Sequence, residues 1–214
     1  GLLQPIADGI KLFFKEDIIP SESTKVSFLL APMMILVPAL ITVAVIPFGA
    51  DITVGGFLIP QQITDLNIGV LYILAFAGLG IYGIVLAGWS SNNKYTLIGG
   101  IRSAAQLTAY EIPLLLTLLS VAILSGTFNI IESIHFQHAA GSWNLFLMPL
   151  GAVLFLVTMI AEVERVPFDM PEAEAELVEG WWTEYGGMRF GMLFMAEYIR
   201  TYAACFLFTH FFLG

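Results

Sequence analysis

Four long stretches of this 214-residue chain contain no Asp, Glu, Lys or Arg. An α-helix needs about 20 apolar residues to cross a bilayer, and every one of the four stretches reaches that length. They run from Val26 to Phe48, from Leu66 to Ser91, from Ile112 to Ile131 and from Ser133 to Ala161. A fifth apolar run, Phe190 to Phe212, is interrupted only by Glu197 and Arg200. The pattern predicts an all-α polytopic membrane protein.

We place five spans in a single membrane domain that covers residues 1–214. The spans lie near residues 26–48, 66–88, 107–127, 145–161 and 190–212. The chain is 58% hydrophobic and only 12% charged, which is more apolar surface than a soluble fold of this size could bury. Because the first residue is Gly1 rather than Met, we expect an internal piece of a longer protein.

The first 20 residues are too charged to cross a membrane but have helical periodicity. One face of the predicted helix is polar, and the other is apolar; the apolar positions are Leu2, Leu3, Ile6, Ile10, Phe13 and Phe14. The pattern predicts an amphipathic helix that lies on the membrane surface. Its apolar face could equally cover a neighbouring subunit, and the two roles are compatible.

The basic residues predict the orientation of the spans. Seven of the eight Lys and Arg residues lie in three segments, which are Lys11 to Lys25, Lys94 to Arg102 and Arg165 to Arg189. The alternating loops 49–65 and 128–144 contain none. Since an excess of basic residues marks the cytoplasmic side, all three segments are predicted to face inward. The inward loop 162–189 also contains eight of the seventeen acidic residues, interleaved with apolar and aromatic ones, which favours a folded loop packed against another protein.

Ionisable side chains at membrane depth are costly and often mark a proton path or a structural ion pair. Glu111 lies in the third span, two residues before Pro113, where the missing amide can loosen the helix. It is either a proton-exchanging group or a buried partner for Arg102 or for another helix. Glu197 and Arg200 are three residues apart, so they are predicted to form an intrahelical ion pair.

Several other motifs are better explained without chemistry. Gly78, Gly80 and Gly83 form G-x-G-x-x-G, but inside a span they indicate close helix packing rather than nucleotide binding. His135 and His138 have no further ligand nearby, so no metal site is predicted. The single cysteine, Cys205, cannot ligate an iron–sulfur cluster alone. No nucleic-acid motif is present, and no complete active site or redox centre is expected in this chain.

Three motifs resemble a known family. They are GLLQPIADGIKLFFKEDIIP at residues 1–20, WSSNNKYTLIGGIRSAAQLTAYEIP at residues 89–113 and AEVERVPFDMPEAEAELVEGWWTEY at residues 161–185. Together they are similar to the complex I membrane subunit that is known as subunit 1 in mitochondria and as the H-type subunit in bacteria. The resemblance covers essentially the whole chain. One departure is Glu164, where many family members have a neutral residue, and we assign it no shared role.

The resemblance implies a function. It implies a subunit of a proton-translocating NADH:quinone oxidoreductase that forms a quinone tunnel at the junction with the peripheral arm. The tunnel-wall candidates are Arg165, Pro167, Phe168 and Asp169. The proton-relay candidates are Glu111, Glu162, Glu172, Glu174, Glu176 and Glu197, while Arg102 and Arg200 are candidates for structural pairing.

The same resemblance implies the partners. Quinone would be the substrate, with no covalently bound cofactor, and flavin and iron–sulfur clusters would be on partner subunits. Peripheral-arm and membrane-arm subunits and the lipid bilayer would surround this chain in an energy-coupling membrane, which we expect to be a prokaryotic plasma membrane. The alternative is a membrane anchor of an energy-converting hydrogenase-type complex without quinone. A secondary transporter would require an inverted repeat, and the sequence contains no recognisable one.

Overall fold

The computed structural model describes residues 3–49, 52–54, 57–170 and 178–214, and eight α-helices dominate this part of the chain. The helices are α1 Gln4–Phe14, α2 Lys25–Val43, α3 Gly69–Ser90, α4 Lys94–Ser125, α5 Ile130–Ala140, α6 Asn144–Leu147, α7 Pro149–Glu162 and α8 Gly187–Phe208. Two short strands, β1 Ile52–Val54 and β2 Phe57–Ile59, pair as an antiparallel hairpin between α2 and α3. The predicted all-α class is confirmed, and the small hairpin is an addition that hydropathy could not indicate.

Within the described residues, three helices are long and apolar enough to cross a membrane: α2, α3 and α4. The other two predicted spans are also helical but less typical. Helix α7 has only 14 residues, and α8 has 22 residues that include Arg189, Glu197 and Arg200. All five predicted spans are helical, although the fourth contains two helices, and length and apolarity support only three of the five as membrane spans.

Local capping and proline chemistry explain why two predicted boundaries were wrong. Helix α4 begins at Lys94, far before residue 107, because the Asn93 side chain accepts a hydrogen bond from the amide of Tyr95. The fourth span is divided at Met148, which precedes Pro149 and has φ −135° and ψ 63°. A residue before proline disfavours the helical conformation, so α6 and α7 are separate helices.

The helices pack in a simple order. Helix α2 packs along α3, α3 along α4, and α4 along α7, while α8 packs beside α2 and contacts α7. Helix α1 lies across α8. Most of the large apolar side chains of α1 are exposed, including Ile6, Phe13 and Phe14. The predicted amphipathic helix is thus present over Gln4–Phe14, with an apolar face that the described residues leave largely exposed.

The three basic segments lie together at one end of the bundle, which we call the basic end. The amide of Thr24 donates to the Ser90 carbonyl at 3.1 Å. The Asn93 side chain donates to Glu184 at 2.7 Å, and Arg189 pairs with Asp17 at 3.1 Å. These contacts join the N-terminal segment, the α3–α4 turn and the loop 162–189, which we call the acidic loop.

The two loops without basic residues meet at the opposite end. The Asn129 side chain donates to Asp65 at 2.7 Å, and the amide of Val70 donates to the Phe128 carbonyl at 3.1 Å. The three basic segments and the two loops without basic residues therefore lie at opposite ends of the bundle, which is the arrangement expected when successive helices cross a membrane.

Candidate functional site

A cluster of charged and polar side chains forms near the basic end, where α4, the end of α7 and α8 meet. We call it the acidic junction. It consists of Ser103, Gln106 and Glu111 from α4, Glu162 from α7, Glu164 and Arg165 from the following loop, and Glu197 and Arg200 from α8. The chain leaves α7 in a tight turn in which Glu164 has a φ of 56°. This turn directs Glu164 and Arg165, two adjacent residues, to different partners.

Glu197 forms the shortest ion pair of the junction. Its Oε1 atom lies 2.7 Å from the Arg165 guanidinium, and the Glu197 side chain is only 7% exposed, against 46% for Arg165. The guanidinium also lies over the Tyr198 ring, 5.3 Å from its centroid. The predicted contact pair between Glu197 and Arg200 is wrong within the described residues, because the loop after α7 supplies the closer cation. Arg200 still acts on Glu197 electrostatically.

Glu164 is one of the site residues that the sequence reasoning missed. It is 4% exposed, and its carboxyl accepts a hydrogen bond from the Ser103 hydroxyl of α4. Burial raises the pKa of the Glu164 carboxyl, while the Arg200 charge and the Ser103 hydrogen bond oppose that shift. Its departure from the family pattern was the one sequence signal that set it apart, and that signal did not indicate burial, since an acidic residue in an acidic loop is usually solvated.

The tunnel-wall candidates differ in their surroundings. The Phe168 ring packs edge-on against Tyr110 of α4, with 5.3 Å between the centroids. The side chains of Pro167 and Asp169 are exposed. Arg165 is tied to Glu197 as described above. These four residues therefore share one turn, from which Phe168 and Arg165 contact the helices.

Gln106 fastens this loop to α4. Its side-chain amide donates to the Ala161 carbonyl at 3.0 Å and to the Phe168 carbonyl at 2.7 Å. One side chain therefore connects α4 to both the end of α7 and the start of the acidic loop. Gln106 was not predicted as a site residue.

Glu111 lies deeper along α4 and is partly buried. It is within electrostatic range of Glu162, which is also influenced by Glu164 and Arg200. One carboxyl oxygen of Glu162 is buried without a hydrogen-bond partner among the described residues. Arg102 precedes Ser103 on α4. Glu172, Glu174 and Glu176 lie outside the described residues.

The C-terminal part of the acidic loop packs against the bundle through aromatic residues. Trp181 is 1% exposed, and a Cβ at Gly99 of α4 would lie 2.8 Å from its backbone nitrogen. The Tyr185 ring stacks on Phe28, with 4.1 Å between centroids, and burial raises the pKa of Tyr185 to about 12. The loop is thus anchored at both ends, and Tyr185 stays neutral at physiological pH.

The fold and the junction together define a class: a polytopic helical membrane protein with several carboxyl groups held among its helices near one end. Comparison with known proteins gives the family. The family model described as NADH dehydrogenase matches residues 1–214. The chain belongs to this family.

Its relatives include H-type subunits of NADH-quinone oxidoreductase from several bacteria. The second such subunit of Geobacter metallireducens is 54% identical, over all of this chain and 65% of that protein. The first such subunit of Geobacter sulfurreducens is 52% identical, over all of this chain and 64% of that protein. The H-type subunit of Wolbachia pipientis wMel is 47% identical with the same coverage, all of this chain and 64% of that protein. The chain thus spans slightly less than two thirds of these relatives, and the family resemblance stated from the motifs is confirmed.

Proposed function

We propose that this chain acts as a membrane subunit of a quinone-reducing, proton-translocating oxidoreductase of the complex I type. In this role it forms part of the quinone tunnel beside the peripheral arm and couples quinone reduction to proton transfer. The names of the relatives support an oxidoreductase subunit that works with NADH and quinone. The acidic junction is the observation in this chain that supports proton transfer.

The junction suits proton transfer because its carboxyl groups influence one another. Glu111 acts electrostatically on Glu162, and Glu162 is influenced in turn by Glu164 and Arg200. Carboxyl groups that interact this closely exchange protons as a set, so a new charge nearby changes the protonation of several members. Reduction of a quinone in the tunnel supplies such a charge. We propose Glu111, Glu162 and Glu197 as relay members, with Glu172, Glu174 and Glu176 continuing the path.

The turn after α7 suits the wall of a quinone tunnel. Phe168 and Tyr110 offer aromatic surface for a quinone ring, and the Arg165 guanidinium can donate to a quinone carbonyl. Asp169 and Pro167 would complete this wall. Electron carriers would be held by partner subunits, since Cys205 alone does not suit an iron–sulfur cluster.

The surroundings follow from the same proposal. The chain would be a single membrane domain in an energy-coupling membrane, and we propose the plasma membrane of a prokaryote. The basic end would face the cytoplasm and meet the peripheral arm. The opposite end and the lipid-facing helices would contact the bilayer and other membrane-arm subunits.

The test is inhibitor-sensitive quinone reduction and proton pumping by the whole complex in native membranes. Glu111→Gln and Asp169→Asn are compared at equal assembly. We expect both to lower quinone-linked turnover about tenfold or more, the range in which positioned proton-transfer groups act. Glu132→Gln is the matched control, because Glu132 is an exposed glutamate near the opposite end.

Two outcomes would contradict the proposal. Unchanged turnover and pumping in both variants would make these acids structural. Proton-coupled electron transfer without any quinone dependence in the native complex would favour the hydrogenase-type anchor instead.

A further inference from the structure

The three glycines of the G-x-G-x-x-G motif have three different surroundings on α3. A Cβ at Gly83 would lie 2.5 Å from the Ile35 Cγ1 atom and 3.1 Å from the Ile35 backbone nitrogen. A Cβ at Gly80 would have no atom within 4 Å. Gly83 is therefore a close helix contact with α2, whereas Gly80 has open space. Close helix packing thus accounts for Gly83 only.

Gly78 faces the carboxyl group of Glu111. A Cβ at Gly78 would lie 2.7 Å from Oε1, 3.6 Å from Cδ and 3.7 Å from Oε2 of that one side chain. Real Cβ atoms hardly ever come within 3.0 Å of another heavy atom. The Glu111 carboxyl can therefore occupy its place on α3 only because residue 78 has no side chain.

We propose that Gly78 is a positioning residue for Glu111. Because Gly78 has no side chain, the surface of α3 leaves room for the Glu111 carboxyl between α3 and α4, within electrostatic range of Glu162. The methyl group of an alanine at position 78 would displace the carboxyl from this position. This inference rests on the proposed function only in so far as Glu111 takes part in proton transfer; the steric contact itself does not depend on it.

Replacement by alanine should leave the fold intact. The atoms that must move belong to the free end of a flexible glutamate side chain, and no backbone atom is among the three nearest. Alanine is also a better helix former than glycine. Gly78→Ala thus separates the position of the carboxyl from the stability of the helix pair, which Gly83→Ala would not.

The experiment compares Gly78→Ala, the control Gly80→Ala, Glu111→Gln, Glu111→Asp and the double variant Gly78→Ala/Glu111→Asp in the whole complex. Assembly is checked first, and inhibitor-sensitive quinone turnover is then measured. We expect Gly78→Ala to lower turnover severalfold at normal assembly and Gly80→Ala to change it less than twofold. Aspartate is one methylene shorter than glutamate, so its carboxyl should not reach the methyl group at position 78. Gly78→Ala should therefore lower quinone turnover by a smaller factor in the Glu111→Asp background than in the native one.

An infrared measurement separates this inference from the proposed function. The carboxyl band of Glu111 is identified as the band lost in Glu111→Gln, and it should shift in Gly78→Ala but not in Gly80→Ala. If Glu111→Gln lowers turnover while Gly78→Ala behaves like Gly80→Ala in both assays, the positioning role is overturned and the function stands. If Glu111→Gln leaves turnover unchanged, the proposed function fails at this residue, and a shifted band still supports the positioning by Gly78.

Discussion

At the scale of single residues, two carboxyl groups of the acidic junction, those of Glu197 and Glu164, are held by different neighbours. Glu197 has a cation, Arg165, at 2.7 Å. Glu164 has a neutral hydroxyl from Ser103. A buried carboxylate is tolerated only when such partners replace the water it has lost. The neighbours therefore decide which carboxyl groups stay charged and which can take up a proton.

Removal of the Arg165 charge should leave Glu197 without its nearest cation. We expect Arg165→Gln to reduce the free energy of unfolding by roughly 1–2 kcal/mol, between the values for exposed pairs and for buried ones. Thermal unfolding of the purified complex measures the loss. The double variant Arg165→Gln/Glu197→Gln should recover part of it, and equal losses in the single and double variants would contradict the pairing.

Glu164 should make the stability of the chain depend on pH. Burial raises its folded-state pKa among the charged groups Arg200, Glu197 and Glu162. A carboxyl with a raised pKa stabilises the fold fully below its unfolded pKa of about 4.3, and this stability is lost as the pH rises through the folded value. Glutamine cannot ionise, so the Glu164→Gln variant does not lose this stability as the pH rises. The difference between the Tm of the variant and the Tm of the native protein should therefore increase with pH.

Thermal unfolding in detergent at a series of pH values above the unfolded pKa checks this expectation. Glu22→Gln is the control, because Glu22 is an exposed glutamate at the basic end. A Tm difference that stays constant across the series, or that decreases as the pH rises, would contradict it.

At the scale of secondary structure, α4 organises the site. It is a 32-residue helix that contains Pro113, and it contributes Ser103, Gln106 and Glu111 to the junction. Helix α7 reaches the junction at its end, with Glu162, whereas α8 contributes Glu197 and Arg200 from its middle. The turn after α7 is held to α4 by the hydrogen bonds of Gln106 and to α8 by the Arg165–Glu197 ion pair.

Gln106→Ala should loosen this turn. The variant loses the hydrogen bonds to the carbonyls of Ala161 and Phe168, which at about 1 kcal/mol each would cost roughly 2 kcal/mol. Hydrogen exchange of the peptide covering residues 161–170 should become faster by up to about thirtyfold, the equivalent of that energy. Ser120→Ala, which removes only a hydrogen bond within α4, should leave the peptide unchanged; equal exchange in both variants would contradict the role of Gln106.

At the scale of the whole molecule, charge and contacts divide the chain into two ends. The basic end joins the N-terminal segment, the α3–α4 turn and the acidic loop. The other end joins the segment after α2, α5 and the π-helical turn Thr209–Leu213 that follows α8, where His210 contacts the Pro47 carbonyl at 2.9 Å. The acidic junction is close to the basic end, so under the proposed function the orientation in the membrane also decides from which side protons would enter it.

Cysteine labelling should place the two ends on opposite sides of the membrane. In a Cys205→Ser background, Lys94→Cys should react with an impermeant maleimide from the cytoplasmic side. Glu132→Cys should react from the other side. Both native residues are exposed. Labelling of both positions from the same side would contradict the crossing order, and reversed labelling would contradict the inward orientation of the basic end.

Local composition was enough to predict several features of this chain. Hydropathy predicted helical structure in each of the five apolar stretches, the basic residues grouped three segments at one end, and the motifs around Arg165 and Glu111 identified the family. Each of these signals is contained in a continuous stretch of chain, so no knowledge of the packing was needed. Helix boundaries were less accurate, because the Asn93 cap and the break before Pro149 act within one turn.

Which residues meet depends instead on the three-dimensional packing. Helical spacing favoured Arg200 as the partner of Glu197, but the turn after α7 brings Arg165 closer. Ser103 and Glu164 are 61 positions apart in sequence, and Gly78 meets Glu111 only because α3 packs along α4. Such contacts depend on the relative placement of helices, which the burial of apolar side chains sets over the whole molecule rather than any local pattern.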